Sequence, residues 1–253
     1  MVLFCTDLDQ TLIYSYKHEI GDRKRCVEIY QGREVSYMTD ATLRLLTELQ
    51  KDACIVPVTT RTVEQYERIT LGTGKIRYAL VCNGGVLLKD GKKDPAWYQQ
   101  SLELVKDARH TLAQAAAYLE TEAGRTLDVR LIEGLFVFTK CRCPQDVVKR
   151  LKQKLRLPDV NIFCNGEKVY VVPKILNKGA AVARLREQVR ADAVLAAGDS
   201  AFDLPMLTAA DFAAAPAQCG WKGLPCHVQV MPGKKVFSEE LLEAMQRYLL
   251  HIL

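Results

Sequence analysis

Two carboxylates and a hydroxyl group follow a short apolar segment at the start of the chain. The segment is Val-Leu-Phe-Cys at residues 2–5, which is typical of a buried strand, and Asp-Leu-Asp-Gln-Thr at residues 7–11 follows it. Carboxylates two positions apart on a continuing strand would face the same way and repel each other. A divalent cation such as Mg²⁺, which takes oxygen ligands, relieves that repulsion. The alternative is a loop or helix cap in which the Asp and Thr side chains bind backbone amides.

A calcium-binding EF-hand loop also contains an Asp-x-Asp pattern, but this sequence excludes it. Counted from Asp7, that loop requires Gly at its sixth position and Glu at its twelfth, and these positions hold Leu12 and His18. The two carboxylates therefore need another explanation.

A second apolar segment, Cys-Ile-Val-Pro-Val at residues 54–58, ends in Thr59-Thr60-Arg61 before a helical pattern. A hydroxyl group at the end of a strand can hold a phosphoryl oxygen. The alternative is an ordinary N-cap, in which Thr59 or Thr60 accepts hydrogen bonds from the first amides of the helix.

The third fragment, Pro-Lys-Ile-Leu-Asn-Lys-Gly at residues 173–179, opens a helix predicted to bury Val182, Leu185 and Val189. Lys178 lies in its first turn, where the helix dipole is already positive and a cation is disfavoured. This unfavourable position indicates a functional role, and a solvated surface lysine is the alternative. Lys174 competes with Lys178 for the same role.

Two more acids follow a later apolar segment, Ala-Val-Leu-Ala-Ala at residues 193–197. Gly198 comes next, then Asp199, and Asp203 lies four positions further on. Glycine lets the backbone approach a ligand closely. A helix cap would need only one of these acids.

Read in order, the four fragments resemble the signatures of the haloacid dehalogenase-like (HAD) hydrolases. The local sequences at residues 58–61, 83–85, 177–179 and 198–200 are most similar to the Cof-type and sucrose-phosphate-phosphatase-like branch, and the resemblance spans nearly the whole chain. The sequence departs from the family pattern at two positions. Thr60 replaces the usual glycine of Thr-Gly-Arg, and Phe202 replaces an asparagine that often precedes the last acid.

The resemblance implies a Mg²⁺-dependent phosphomonoester hydrolase. Its substrate would be a small phosphorylated metabolite, such as a sugar phosphate or a phosphoglycerate derivative. Asp7 would attack phosphorus and form an aspartyl-phosphate. Asp9 would protonate the departing alcohol and later deprotonate the attacking water.

The resemblance also assigns the remaining site residues. Thr59 and Lys178 would stabilise the phosphoryl oxygens in the transition state. Mg²⁺ would be held by the Asp7 carboxylate, the Asp9 backbone carbonyl and Asp199, with Asp203 as a further ligand or as an anchor behind the ligands. The residues expected to contact substrate are Thr11, Thr60, Arg61, Asn83 and Gly84.

Two other functions remain open from the sequence. A phosphotransferase or phosphomutase would use the same residues but pass the phosphoryl group to an acceptor other than water. A non-catalytic protein with this fold would bind a phosphorylated ligand without releasing phosphate.

The apolar segments predict an α/β protein built on a doubly wound parallel sheet. Those at residues 2–5, 54–58, 78–81, 193–197, 211–215 and 228–231 alternate with helical patterns, and ligands gather at the carboxyl ends of such strands. More than a hundred residues separate Arg61 from Lys178, enough for a folded insertion. We therefore expect a core of residues 1–82 and 174–253 and an inserted domain of residues 83–173.

The inserted domain is predicted to be an α+β unit that resembles the C2-type cap of this family. Its pattern indicates one long helix through Leu102, Val105, Leu112 and Leu119, a second helix after Pro144, and four strands. Residues 13–39 could form either a β-flap near an entrance or a surface hairpin, and the hairpin is favoured.

Composition adds only coarse limits. With 35 basic and 30 acidic residues the net charge is +5, which does not indicate nucleic-acid binding. No apolar segment approaches the length of a membrane span, and the chain begins with a strand pattern rather than a leader. We expect a cytoplasmic monomer or homodimer without a membrane partner.

Overall fold

The computed structural model describes residues 1–155 and 159–252. The chain forms two compact units, one made of Met1–Asp94 with Lys178–Leu253 and the other of Pro95–Asn177. Residues 83–94, expected in the inserted domain, pack with the first unit because Val86–Lys89 pairs with Tyr78–Val81.

Strands and helices are numbered in chain order. The strands are β1 (Val2–Thr6), β2 (Tyr14–Ser15), β3 (Lys24–Tyr30), β4 (Arg33–Thr39), β5 (Ala53–Pro57), β6 (Tyr78–Val81), β7 (Val86–Lys89), β8 (Lys92–Lys93), β9 (Arg125–Ile132), β10 (Phe136–Cys141), β11 (Val160–Asn165), β12 (Lys168–Pro173), β13 (Ala193–Ala197), β14 (Phe212–Pro216) and β15 (Val228–Met231). The helices are α1 (Asp40–Leu49), α2 (Val63–Glu67), α3 (Pro95–Leu104), α4 (Arg109–Glu120), α5 (Pro144–Lys154), α6 (Lys178–Val189), α7 (Leu204–Ala209) and α8 (Phe237–Ile252).

A five-stranded parallel sheet organises the first unit, with strand order β15-β14-β13-β1-β5. The inner strand β1, between β13 and β5, is buried on both faces. Phe4 lies in a core cluster with Leu46 of α1 and Leu241 of α8, while Leu3, on the opposite face, is equally inaccessible. Burial on both faces explains the uninterrupted apolar run of β1. The predicted α/β class is thereby confirmed.

The apolar segment at residues 78–81 was expected in this sheet, and the structure bears this out only in part. It forms β6, which pairs antiparallel with β7 in a separate sheet of order β6-β7-β8, and one parallel bridge joins Leu80 to Val58. The chain reverses after β6 because Cys82, Asn83 and Gly84 all have positive φ angles. Asn-Gly is a common pair in such tight reversals.

Residues 13–39 form a small antiparallel sheet of order β2-β4-β3. A two-residue turn, Gln31-Gly32, joins β3 to β4, and both turn residues have positive φ. Strand β3 is also fastened to the segment after α2, because Thr70 N donates a hydrogen bond to Val27 O at 2.8 Å. This β3–β4 hairpin is therefore held by backbone contacts on two sides.

The second unit is an antiparallel sheet of order β11-β12-β10-β9 packed against α4 and α5. Leu112 and Leu151 of these helices share a core with Val137 and Val169 of the sheet. The single long helix expected here was wrong. Val105 leaves helical geometry, and a short 3₁₀ turn, Lys106–Ala108, separates α3 from α4.

Within residues 1–155 and 159–252, none of the helices has both the length and the apolar character needed to span a bilayer.

Candidate active site

The turn after β1 presents Asp7 and Asp9. The strand ends at Thr6, and Asp7 N donates to Ala197 O of β13 at 2.9 Å. The chain then closes tightly, because Leu8 O accepts hydrogen bonds from the amides of residues 11, 12 and 13. As a result Asp7 is buried, whereas about half of the Asp9 side chain is exposed.

Thr59 lies at the carboxyl end of β5, next to this turn. Its amide donates to Leu80 O at 2.8 Å, and its carbonyl accepts from Asn83 N at 2.9 Å. The buried Thr59 hydroxyl accepts from Arg61 N at 3.1 Å. The N-cap alternative for Thr59 and Thr60 is wrong, since Thr62 caps α2 in a capping box with Gln65.

Lys178 begins α6 and is almost completely buried, with 1% of its surface exposed. Its Nζ atom lies 2.7 Å from Asp7 Oδ1 and 2.5 Å from Asp203 Oδ1. Burial alone would lower the pKa of Lys178, but Asp203 and Asp7 raise the pKa by more than burial lowers it. The ammonium group therefore stays charged. The surface-lysine alternative is therefore wrong. Lys174 is exposed and belongs to the second unit.

Two glycines allow the close packing around these charges. A Cβ atom at Gly179, next to Lys178, would lie 2.3 Å from the backbone oxygen of Pro205. A Cβ atom at Gly198 would lie 2.4 Å from Asp203 Cβ. Any side chain at either position would push α7 or Asp203 away, so the sequence Gly198-Asp199 serves packing as well as backbone access to a ligand.

The Asp203 carboxylate is fully buried, and both of its oxygens accept hydrogen bonds. Oδ1 accepts from Lys178, and Oδ2 accepts from Ser200 Oγ at 2.7 Å, Ser200 N at 2.9 Å and Asp199 N at 3.2 Å. These bonds fix the backbone that carries Asp199. The arrangement favours Asp203 as an anchor over Asp203 as a direct ligand.

Asp7, Asp199 and Asp203 form an acidic cluster, and one ligand atom from each lies within 4.8 Å of the others. Burial and the neighbouring carboxylates raise the pKa of Asp7 well above its usual range despite Lys178. Burial, followed by Asp203, raises the pKa of Asp199 to about 7. Since Lys178 brings one positive charge to three carboxylates, the cluster has the charge and the oxygen donors to bind Mg²⁺.

The residues expected to contact substrate follow the carboxyl ends of β1, β5 and β6. Thr11 Oγ1 donates to Asp199 Oδ1 at 3.4 Å, and Thr60 is partly buried next to Thr59. Asn83 and Gly84 are buried in the turn after β6, where Asn83 N reaches Thr59. A backbone hydrogen bond thus links the turn after β6 to Thr59 at the end of β5.

Arg61, also expected to contact substrate, has all five of its N–H groups engaged within the protein. Nε and Nη2 donate to the two oxygens of Asp9 at 2.8 and 2.7 Å, Nη1 and Nη2 donate to Glu28 at 2.8 and 3.0 Å, and Nη1 also donates to Gln65 O at 3.4 Å. A substrate contact would require one of these bonds to break.

Sequence reasoning did not identify Glu28, which lies on β3 with 3% of its side chain exposed. Besides Arg61, its carboxylate accepts hydrogen bonds from Ser36 Oγ and from Arg68. Arg61 and the other donors hold the pKa of Glu28 below its usual value, despite the opposing effect of burial. Its only sequence signal is a charge placed between Val27 and Ile29.

No protein-family model matches the chain, and no curated protein matches it in sequence. Solved structures do match. The sucrose-phosphatase of Synechocystis sp. PCC6803, solved with sucrose and phosphate, is 18% identical and superimposes with a TM-score of 0.69 over 98% of this chain and 97% of its own.

Two further structures show the same likeness. A trehalose-6-phosphate phosphatase related protein is 15% identical, with a TM-score of 0.55 over 99% of this chain and 98% of its own. A haloacid dehalogenase-like hydrolase from B. subtilis is also 15% identical, with a TM-score of 0.57 over 97% of this chain and 99% of its own. At these identities the likeness establishes architecture, and this chain has the fold of the HAD-superfamily phosphatases.

Proposed function

We propose that this protein is a Mg²⁺-dependent phosphomonoester hydrolase. The observation that carries the proposal is the buried Asp7–Lys178–Asp203 contact beside Asp199, built at the carboxyl ends of β1 and β13. Parallel sheets bind ligands at this edge. A buried cation beside a cluster of acids suits a dianionic phosphate monoester held with a metal ion.

Asp7 is the proposed nucleophile. One of its carboxylate oxygens attacks phosphorus, the bond from phosphorus to the alcohol oxygen breaks, and Asp9 supplies the proton to that oxygen. Water then attacks the phosphorus of the aspartyl-phosphate while Asp9 accepts its proton, which releases phosphate and restores Asp7. The half-exposed Asp9 side chain has the access to solvent that this second step needs.

Lys178 and Thr59 bind the non-bridging phosphoryl oxygens in this proposal. The contact of Lys178 with Asp7 at 2.7 Å places its charge beside the attacking group. Thr11, Thr60, Asn83 and Gly84 surround the same strand ends and contribute backbone or side-chain donors. Preorganised donors of this kind stabilise charge that develops in the transition state.

The carboxylates of Asp7 and Asp199, with the Asp9 backbone carbonyl, would hold Mg²⁺. Asp203 would act as the anchor of Asp199 and Lys178 because its oxygens are already engaged. When bound, the metal neutralises phosphate charge and keeps Asp7 ionised.

The substrate class is a small phosphorylated metabolite. The solved relatives support a sugar phosphate, since one was crystallised with sucrose and phosphate and another is related to trehalose-6-phosphate phosphatases; a phosphoglycerate derivative is the second candidate. We further propose that the inserted unit, Pro95–Asn177, selects among such substrates.

Phosphate release from a panel of sugar phosphates, phosphoglycerates, nucleotides and p-nitrophenyl phosphate tests the proposal. Wild-type protein with Mg²⁺ should release phosphate, and both EDTA and Asp7→Asn should remove the activity, the variant by more than about 10³-fold. Turnover that needs an added alcohol or sugar would instead identify a phosphotransferase or mutase. Binding of a phosphorylated compound without any release would identify a binding protein.

A further inference from the structure

Arg61 connects the turn that carries Asp9 to the β3–β4 hairpin. Its guanidinium group binds both oxygens of Asp9 on one side and both oxygens of Glu28 on the other. Bidentate pairs of this kind fix direction as well as distance. The position of the Asp9 carboxylate therefore depends on where Arg61 is held.

Glu28 is the more rigid of the two acids that bind Arg61. Its side chain is 3% exposed, against 48% for Asp9. Ser36 Oγ, on the neighbouring strand, donates to Glu28 Oε2 at 2.7 Å, and Arg68 donates twice to Oε1. Glu28 is thus fixed from three directions, whereas about half of the Asp9 side chain is exposed.

Charges within this group balance. When Asp9 is ionised, the form in which it would accept the proton of the attacking water, Asp9 and Glu28 bring two negative charges, and Arg61 and Arg68 bring two positive ones. Burial alone would lower the pKa of Arg61, but Asp9 and Glu28 raise the pKa, so the guanidinium group remains charged. Without Glu28, the mostly buried Arg61 would keep only the half-exposed Asp9 and the Gln65 carbonyl as acceptors among its described contacts.

We propose that Glu28 is a positioning residue for Asp9 and acts through Arg61. The inference rests on the function proposed above, in which Asp9 protonates the leaving group. It also gives the β3–β4 hairpin a role in the reaction, and it reassigns Arg61 from substrate contact to orientation of Asp9.

Dependence on the leaving group tests this role. An alkyl or sugar alcohol leaves only with a proton from Asp9, whereas p-nitrophenolate leaves readily without one. We would measure kcat/KM for the sugar phosphate that the wild-type protein hydrolyses fastest and for p-nitrophenyl phosphate. In Glu28→Gln, kcat/KM for the sugar phosphate should fall at least about tenfold more than kcat/KM for p-nitrophenyl phosphate, part of the roughly 10²–10⁴-fold contribution of a general acid.

The ratio of the two kcat/KM values does not depend on the fraction of folded enzyme, because both substrates report on the same preparation. A purely structural role for Glu28 would lower both values equally. Glu28→Asp, which keeps the charge, should recover part of the ratio and provides a second variant if Glu28→Gln does not fold.

Two further variants complete the test. Glu34→Gln is the matched control, because Glu34 is an exposed acid of the same hairpin whose side chain binds only Tyr37 Oη among its described contacts. The ratio in Glu34→Gln should equal that of the wild type. Asp9→Asn should itself alter the ratio of the two kcat/KM values. Adding Glu28→Gln to that variant should change the ratio little, since both substitutions act through the Asp9 carboxylate.

The outcomes separate the two proposals. If the wild-type protein hydrolyses both substrates and Glu28→Gln leaves their ratio unchanged, the role of Glu28 is refuted and the phosphatase proposal stands. If the wild-type protein hydrolyses neither substrate, the phosphatase proposal fails, and the role of Glu28 that rests on it fails too. A ratio shifted in Glu28→Gln but not in Glu34→Gln supports the inference.

Discussion

Lys178 Nζ lies 2.7 Å from Asp7 Oδ1, although 171 positions separate the two residues in the chain. The same ammonium group contacts Asp203, so one buried cation joins the end of β1, the start of α6 and the residue before α7. Removing one member of a buried ion pair leaves an uncompensated charge, which is far more costly than the net contribution of the intact pair. The stability of this edge of the sheet therefore depends on Lys178.

Replacing Lys178 tests that dependence and its proposed role in catalysis. Lys178→Met keeps the aliphatic stem but removes the charge. We expect kcat for phosphate release to fall about 10²–10³-fold, as for other lost transition-state donors, and the unfolding free energy to fall by about 3–5 kcal/mol in EDTA. Steady-state kinetics and urea unfolding measure both effects.

The matched control is Lys174→Met, which changes an exposed lysine four positions earlier. Its effect on unfolding should stay within about 0.5 kcal/mol. Near-normal kcat in Lys178→Met would refute the proposed contact with the phosphoryl group.

Replacement by Asn should affect the unfolding free energy differently at Asp203 and at Asp199. Asp203→Asn disrupts the contacts with Lys178 and Ser200, and we expect it to lower the unfolding free energy of the metal-free protein by about 3 kcal/mol or more. Asp199→Asn should not lower that free energy at pH 8, because burial and Asp203 already disfavour the ionised Asp199 carboxylate. It should instead weaken Mg²⁺ binding directly.

Urea unfolding in EDTA and calorimetric titration with Mg²⁺ separate these effects. An Asp203→Asn variant of wild-type stability that has lost only Mg²⁺ affinity would show that Asp203 is a ligand rather than an anchor.

Magnesium affinity should depend on pH through Asp199. Its pKa of about 7 in the metal-free protein means that the carboxyl group is protonated below pH 7, and Mg²⁺ must then displace a proton. The raised pKa of Asp7, a second proposed ligand, adds to this dependence, so apparent affinity should fall by about tenfold or more per pH unit below 7. Calorimetric titrations at several pH values in buffers of different ionisation enthalpy measure both affinity and proton release; the absence of proton release at pH 6 would contradict the assignment.

The raised pKa of Asp199 also determines how the unfolding free energy of the metal-free protein changes with pH. A folded-state pKa raised above the unfolded value of about 3.9 means that the native protein binds more protons between that value and 7. From this group alone, the unfolding free energy of the metal-free protein decreases as the pH rises through that interval and is constant above it. In Asp199→Asn this contribution should disappear.

Local patterns predicted the strands that build the candidate site. The carboxyl ends of parallel strands meet at one edge, so the acids after β1 and β13 could be placed together without a structure. Lys178 stood out because a cation in a first helical turn needs a compensating partner.

Other features depend on contacts that no local pattern encodes. An apolar segment such as residues 78–81 reads the same in either sheet, and only the reversal at Asn83 selects its antiparallel partner. The Glu28–Arg61 pair joins elements 33 positions apart, and a single acid on a short strand does not reveal its partner. The break at Val105 escaped notice because the apolar spacing continues through it.

Lys178 is also the first residue of the chain after the inserted unit, and the other proposed catalytic and metal-binding residues lie in Met1–Asp94 or Lys178–Leu253. We therefore expect the insertion to be exchangeable as a block. Its length and sequence can be altered or grafted while the reactive groups keep their register, provided that the returning chain begins α6 at this lysine. Selectivity could then be redesigned between Asp94 and Lys178 without rebuilding the chemistry on either side.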